Sequence, residues 1–181
     1  LEEAVASLSC HSGGIYADGT VGGGGHAALI LERSAPAGFL LGMDVDGQAL
    51  EAAGKRLEAF GRRKRLVKAN YADIRAVLAG EKISEVDGIL LDLGVSSHQL
   101  DTAERGFSFL HEAPLDMRMD PQSGRSAYDV LHSCSERELK DIIRRYGEEI
   151  MAGRIARAIA AKRKDAPIRT TTELAAIVAG A

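Results

Sequence analysis

The residues with the most chemistry in them form one short stretch, Ile15-Tyr16-Ala17-Asp18-Gly19-Thr20-Val21-Gly22-Gly23-Gly24-Gly25-His26. An apolar strand runs there into a glycine-rich turn and then into a helix predicted over Ala27 to Arg33. Successive glycines strip the Cβ atoms from the turn, so a ligand can approach the backbone N–H groups at the start of that helix. Gly22, Gly24 and Ala27 satisfy the G-x-G-x-x-G/A spacing of a dinucleotide site, and so do Gly23, Gly25 and Ala28. The turn alone leaves two cofactor classes open, and a flexible turn without a ligand as well.

Acidic side chains narrow the choice. Asp44 closes the second apolar run, nineteen residues after Gly25, where a carboxylate accepts hydrogen bonds from ribose hydroxyls. An adenosine-containing cofactor is implied, against the plainer reading of Asp44 as a helix cap. Tyr71, in Asn70-Tyr71-Ala72-Asp73, follows the third run, where its ring suits either an adenine or the core. The fourth run ends in Asp92. Ligands of open α/β sheets sit beyond the carboxyl ends of the strands, so Asp18, Asp44, Tyr71 and Asp92 are expected to converge on one crevice. Carboxylates there favour a positively charged sulfonium, whereas a nicotinamide makes no demand for Asp92.

The elements that must hold these residues follow from apolar runs at Ile15 to Ala17, Phe39 to Met43, Leu66 to Ala69 and Ile89 to Leu91. Helical periodicity separates them, giving βαβαβαβ and a parallel sheet. Leu50, Ala53, Leu57 and Phe60 share one helical face, with Asp46 to cap its start and Gly61 to end it. The third link has Asp73 as a cap and Ile74, Val77 and Leu78 as its buried side. Leu93 to Ser126 shows little periodicity and reads as a long functional loop. Beyond it the chain is helical. Ser135 and Glu138 form a capping box ahead of the stripe Leu139, Ile142, Ile143 and Tyr146, which ends at Gly147; a second helix is predicted from Glu148 to Lys164, and a third from Thr170, with Glu173 closing another box. The expected organisation is a core over 1–100, a substrate-side loop over 101–125 and a helical subdomain over 126–181.

With 181 residues, 45% hydrophobic and 27% charged, the chain can bury a real core, and no apolar stretch is long enough to span a bilayer. No targeting segment is visible, although the chain opens with Leu1, and a cytoplasmic protein is expected. Cys10 and Cys134 lack zinc-ligand spacing and read as free thiols. The net charge of −3 is unevenly spread: residues 1–124 carry 12 Lys and Arg against 18 Asp and Glu, whereas 125–169 carry 11 against 7. A polyanion is therefore sought in the second region.

The strings DGTVGGGGH, DGILLDLGVSSHQLD, ERGFSF and PLDMRMD resemble those of the bacterial RsmH/MraW family. The resemblance covers nearly the whole chain. It implies a Rossmann-like class I S-adenosylmethionine-dependent methyltransferase sheet with a helical inserted subdomain, acting on N4 of a decoding-centre cytosine in small-subunit ribosomal RNA. By the same resemblance, Gly24, Gly25 and His26 line the methionine and ribose side of S-adenosyl-L-methionine and Asp44 holds the ribose. Tyr71, Asp92 and Gln99 complete the pocket. Tyr71 stands where the family often has Phe, and His98 where Pro is common. The family's usual start and its later strands are absent, implying part of a longer enzyme.

Such a reaction needs positioning more than acid–base machinery. Asp92 is a candidate to accept a hydrogen bond from the cytosine amine, although the chain has Asp92-Leu93-Gly94-Val95 where many amino-methyltransferases carry an Asp/Asn-Pro-Pro-aromatic loop. Phe107 and Phe109 either stack on the extruded base or anchor their loop. Asp116, Arg118 and Asp120 either grip RNA or pair among themselves, and Arg144, Arg145, Arg154, Arg157, Lys162 and Lys164 either meet phosphates or form a solvated face. The run Arg62 to Arg65 reads as solvated, and His11, His111 and His132 have no partner legible in sequence. The expected partner is small-subunit ribosomal RNA or the assembled subunit, with no membrane. The rival readings are an oxidoreductase using NAD and a non-catalytic cofactor- or RNA-binding module.

Overall fold

A computed structural model describes residues 1–181, which divide into two compact units, Leu1–Gly94 and Val95–Ala181. The expected loop over 101–125 thus falls wholly in the second unit, together with the last residues assigned to the core.

In the first unit, α1 (Glu2–Ser7), β1 (Ile15–Asp18), α2 (Gly25–Arg33), β2 (Phe39–Asp44), α3 (Gly47–Arg56), β3 (Lys64–Lys68), α4 (Ile74–Gly80) and β4 (Gly88–Leu90) follow in order. The sheet is parallel throughout, in the order β3-β2-β1-β4. Strands one and two read as near-continuous apolar runs because Tyr16, Ala17, Leu40, Leu41 and Met43 are all buried, as strands covered on both faces must be. Val5, Ile30, Leu31, Ala53 and Leu57 bring α1, α2 and α3 onto this core.

Several local expectations shift. The third strand begins two residues early, at Lys64, so half of the basic run is strand. Arg63 is not a solvated side chain: its Nε donates to Gly38 O at 2.8 Å and its Nη2 to Leu31 O at 2.5 Å, tying down the exit of α2. Arg65 pairs with Glu81 at 2.9 Å. Asp46 does cap α3, accepting from Gln48 N. That helix stops at Arg56 and a 3-10 segment, Glu58–Arg63, follows, so Gly61 (φ 55°) makes a kink inside it instead of ending the helix. Asp73 makes no side-chain cap to α4; Asn70 instead accepts from Ala72 N and shapes the turn before it.

In the second unit the stretch read as a loop contains α5 (Ser97–Asp101) and a 3-10 turn, Ala103–Arg105, before α6 (Ala127–Ser133), α7 (Glu136–Gly147), α8 (Ala152–Asp165) and α9 (Thr171–Ala179). Four of the five helices begin with a reciprocal capping box: Ser96/Gln99, Ser126/Asp129, Ser135/Glu138 and Thr170/Glu173. Glu148 adopts the left-handed conformation (φ 53°) that ends α7, so the next helix starts four residues later than expected. Leu139 is buried and Ile143 partly so, but Ile142 and Tyr146 are 37% and 76% exposed, so the predicted stripe is apolar without being covered. Leu131, Ile155, Ile159 and Ile168 build the core with Leu139. His132 is a pin within it. Its Nε2 accepts from Ile168 N at 3.2 Å, which leaves Nδ1 to donate to Tyr128 O at 2.8 Å.

The chain before α6 is closely packed on itself. Gly106 lies at φ 72°, and a Cβ there would stand 2.4 Å from Pro114 O and 2.9 Å from Asp116 N. Both partners are backbone, so neither can swing away. Gly106→Ala is expected to destabilise this unit by about 3 kcal/mol, the sum of left-handed strain and steric overlap. Hydrogen exchange checks it: amides of the second unit should lose protection while those of β1 and β2 keep theirs.

Candidate cofactor site

The chain runs from β1 outward through β2 to β3, then returns to place β4 on the other side of β1. The order therefore reverses between β1 and β4, the position where such sheets bind ligands at their carboxyl ends. The structure gathers Asp18, Asp44, Tyr71 and Asp92 around that end. Gly19 N donates to Leu90 O at 2.9 Å, Val21 N to Met43 O at 2.9 Å and Ala69 N to Asp44 O at 3.0 Å, stitching the four strand exits together. A Cβ on Gly19 would lie 2.5 Å from Leu91 Cδ2 and 3.0 Å from Tyr71 Cβ, so a larger residue here would have to push the Leu91 side chain aside.

Asp44 is the organiser of the turn. Its Oδ2 accepts from Gly22 N and its Oδ1 from Asp46 N, both at 2.9 Å. Each oxygen keeps lone-pair capacity for a ligand hydroxyl, since a carboxylate accepts about four hydrogen bonds. The glycines divide the work in a way the spacing did not reveal. Gly24 (φ 80°) packs against Ala53 Cα, where a Cβ would lie at 3.2 Å, and it provides no side chain to cap α2. Gly23 has open space where its Cβ would be. The turn is thus open at Gly23, while Gly24 also serves the contact of turn with helix.

Asp18 is fully buried, its Oδ1 accepting from Thr20 N at 3.0 Å and its Oδ2 without a hydrogen-bond partner. Burial, reinforced by the neighbouring Asp44 and Asp92 carboxylates, pushes its pKa up to about 6. Asp92 is exposed, with Oδ2 4.0 Å from His26 Nδ1 on the first turn of α2. Its backbone N donates to Thr20 Oγ1 at 2.7 Å. Thr20 thus joins the exits of β1 and β4, a role with no signal in the sequence beyond a hydroxyl at the turn. Thr20→Val is expected to weaken cofactor binding about tenfold, from the loss of one hydrogen bond worth about 1 kcal/mol or a little more, as measured by calorimetry. Wild-type affinity in that variant would exclude the clamp.

Tyr71 is 43% exposed, which removes it from core packing and leaves its ring available to a ligand. Gln99 belongs to the second unit. It is 6% exposed, and its Oε1 accepts from Ser96 N at 2.9 Å to close the α5 capping box. In the same unit Phe107 is half-buried beneath the Arg105 guanidinium, 5.9 Å from ring centroid, while Phe109 is 69% exposed. Arg118 pairs with Asp116. Arg154, Arg157, Lys162 and Lys164 are exposed along α8, whereas Arg163 is turned onto Leu131 O.

A reversing parallel sheet with a glycine turn and acidic strand exits defines a Rossmann-like domain for an adenosine-containing cofactor. Within that class, the model of the MraW methylase family matches residues 1–181, and the chain belongs to this family. It is 81% identical over 181 residues to a ribosomal RNA small subunit methyltransferase H of Syntrophus aciditrophicus, covering 100% of the chain and 58% of that protein. A protein of the same name from Geotalea daltonii is 54% identical, with 99% of the chain and 57% of the relative covered. The chain thus spans less than three fifths of the length of these relatives. Among solved structures, a SAM-dependent methyltransferase from Aquifex aeolicus is 17% identical over 81% of this chain and 78% of its own, with a TM-score of 0.38.

Proposed function

We propose that this protein transfers a methyl group from S-adenosyl-L-methionine to the exocyclic N4 amine of a decoding-centre cytosine in small-subunit ribosomal RNA. Membership of a methylase family supports the reaction type, and the name of the longer relatives, ribosomal RNA small subunit methyltransferase H, supports the substrate. The observation that carries the cofactor reading is the acidic crevice at the reversal of the sheet. Asp18 Oδ2 is buried without a partner, Asp44 and Asp92 add charge beside it, and Gly23 leaves the turn open. A ligand with cationic character and a ribose fits this set, whereas a second anion does not.

The bound cofactor would supply an electrophilic methyl group on a sulfonium. Asp44 would accept from the ribose hydroxyls, Tyr71 would pack on the adenine, and Gly24, Gly25 and His26 would line the methionine and ribose side. Asp92 would hold the target amine by accepting a hydrogen bond from it, which helps free the nitrogen lone pair from the ring. Most of the rate enhancement then comes from alignment. The second unit, whose basic excess lies over 125–169, would meet the RNA, as free rRNA or as the assembled subunit, in the cytoplasm. No helix is long and apolar enough to cross a membrane.

The test is transfer of labelled methyl from S-adenosylmethionine to small ribosomal subunits lacking the mark, followed by nucleoside analysis. Label in N4-methylated cytidine is expected. Label in another nucleoside would overturn the site of methylation and keep the donor; absence of transfer by the full-length protein, despite cofactor binding, would favour a binding module.

A further inference from the structure

The two motifs ERGFSF and PLDMRMD, whose roles the methyl-donor site leaves open, fold into one platform in the second unit. Buried Arg105 reaches across it, its Nη2 donating to Arg118 O at 3.1 Å and Met119 O at 2.8 Å. Its own carbonyl accepts from Met117 N at 3.0 Å. Met117 is held at φ 59°, a conformation that is strained for a side-chain-bearing residue and survives only where the surroundings over-determine it. The residue that follows is a fixed arginine. Arg118 Nε donates to Asp116 Oδ1 at 2.9 Å and Nη2 to Asp116 Oδ2 at 2.6 Å, a fork that locks the guanidinium plane. The two side chains remain 27% and 25% exposed.

Arg118 and Asp116 line an open crevice of about 520 Å³, together with Glu112, Tyr128 and the exposed Arg169. That volume lies in the range of about 300–1,000 Å³ typical of small-ligand pockets. The Tyr128 ring is itself positioned, stacked on His132 at 4.1 Å and 30°. Two guanidiniums and two carboxylates cancel in formal charge, and one of each is spent on the Asp116–Arg118 fork. A bare polyanion would gain little here, and an acidic peptide would meet Glu112 and Asp116. A ligand with a flat face, hydrogen-bonding edges and a single anion suits the lining: the guanidinium plane and the Tyr128 ring offer surfaces for a base, and Arg169 offers a charge for a phosphate. Residues 125–169, which include Tyr128 and Arg169, carry 11 Lys and Arg against 7 Asp and Glu, so an anionic strand is favoured over that part of the unit.

We propose that this crevice docks one nucleotide of single-stranded RNA, its base against the Arg118 guanidinium and its phosphate on Arg169. The choice of RNA rests on the function proposed above; the crevice and its fixed arginine do not.

The experiment is fluorescence anisotropy of the chain with a short fluorescein-labelled single-stranded oligoribonucleotide across a series of KCl concentrations. Arg169→Ala is expected to weaken binding about tenfold and to reduce the slope of log affinity against log salt by about 0.7, the signature of one lost phosphate on a single strand. Arg118→Lys should weaken binding with the slope unchanged, because it keeps the charge and loses the plane. Arg169 is exposed, so its variant carries the test if Arg118→Lys fails to fold. Wild-type affinity in Arg169→Ala, or in a folded Arg118→Lys, overturns the proposal, and so does absence of RNA binding by the wild type. Calorimetry with S-adenosylmethionine on the same preparations separates the two readings. Retained cofactor binding with unaffected RNA affinity removes the crevice alone. Lost cofactor binding with the predicted RNA pattern removes the methyl donor and keeps the crevice.

Discussion

Asp44→Ala should lower the affinity for S-adenosylmethionine by at least about a hundredfold. Two ribose hydroxyls donating to a carboxylate contribute about 1.5–3 kcal/mol each, and the smaller figure already accounts for that loss. The variant also takes the acceptors from Gly22 N and Asp46 N, so the glycine turn and the start of α3 loosen together. Asp44→Asn separates the two contributions. It keeps one oxygen for a backbone donor and loses the charge, so its affinity should fall between those of wild type and Asp44→Ala. Titration with S-adenosylhomocysteine sharpens the test. Loss of the ribose contact should weaken both ligands equally, because both carry the same ribose. Asp92→Asn, by contrast, should weaken the sulfonium compound more than its neutral counterpart, since the effect there is electrostatic. Equal binding of S-adenosylmethionine to wild type and Asp44→Ala would remove Asp44 from the site.

The legible part of this fold was the part written in local chemistry. Strands β1 and β2 showed as apolar runs because both their faces are covered, and Ser135 with Glu138 showed as a capping box because its residues are three apart. Ser126 and Asp129 carry the same kind of signal, and it would have located α6. Other features depend on partners distant in sequence. Arg63 looks like one more charge in a basic run, and only the fold brings Leu31 O and Gly38 O to its guanidinium. Gly106 resembles any loop glycine until Pro114 O stands where its Cβ would go. The same distinction runs through the site. Strand-end spacing brought Asp44 and Asp92 to one edge, since parallel topology fixes where strands finish. The packing of Gly24 against α3 comes from Ala53, twenty-nine residues onward, and the glycine spacing carries no sign of it.

Asp18 yields the second large effect, and its sign is opposite to that of an ordinary ion-paired carboxylate. Its ordinary pKa of 3.8 rises to about 6 in the folded protein, first through burial and then through Asp44 and Asp92. Between those two values the unfolded chain releases the proton and the folded chain keeps it. Stability therefore falls as pH rises through this window, and the loss is complete above the folded value. Two pKa units correspond to about 3 kcal/mol, an order-of-magnitude figure for a buried group. Asp18→Asn keeps an oxygen for Thr20 N and cannot ionise. Relative to wild type, the variant should gain about 3 kcal/mol in stability between pH 4 and pH 7, read from urea unfolding across the pH series. Asp116, Asp129, Glu138 and Glu173, whose pKa values are lowered by hydrogen bonds, push wild-type stability the other way, but they are common to both proteins and cancel in the difference. A difference that stays flat with pH would mean that Asp18 is not held protonated. A cationic ligand in the crevice favours the ionised carboxylate, so cofactor affinity of the wild type should rise through about pH 6 while that of Asp18→Asn stays level.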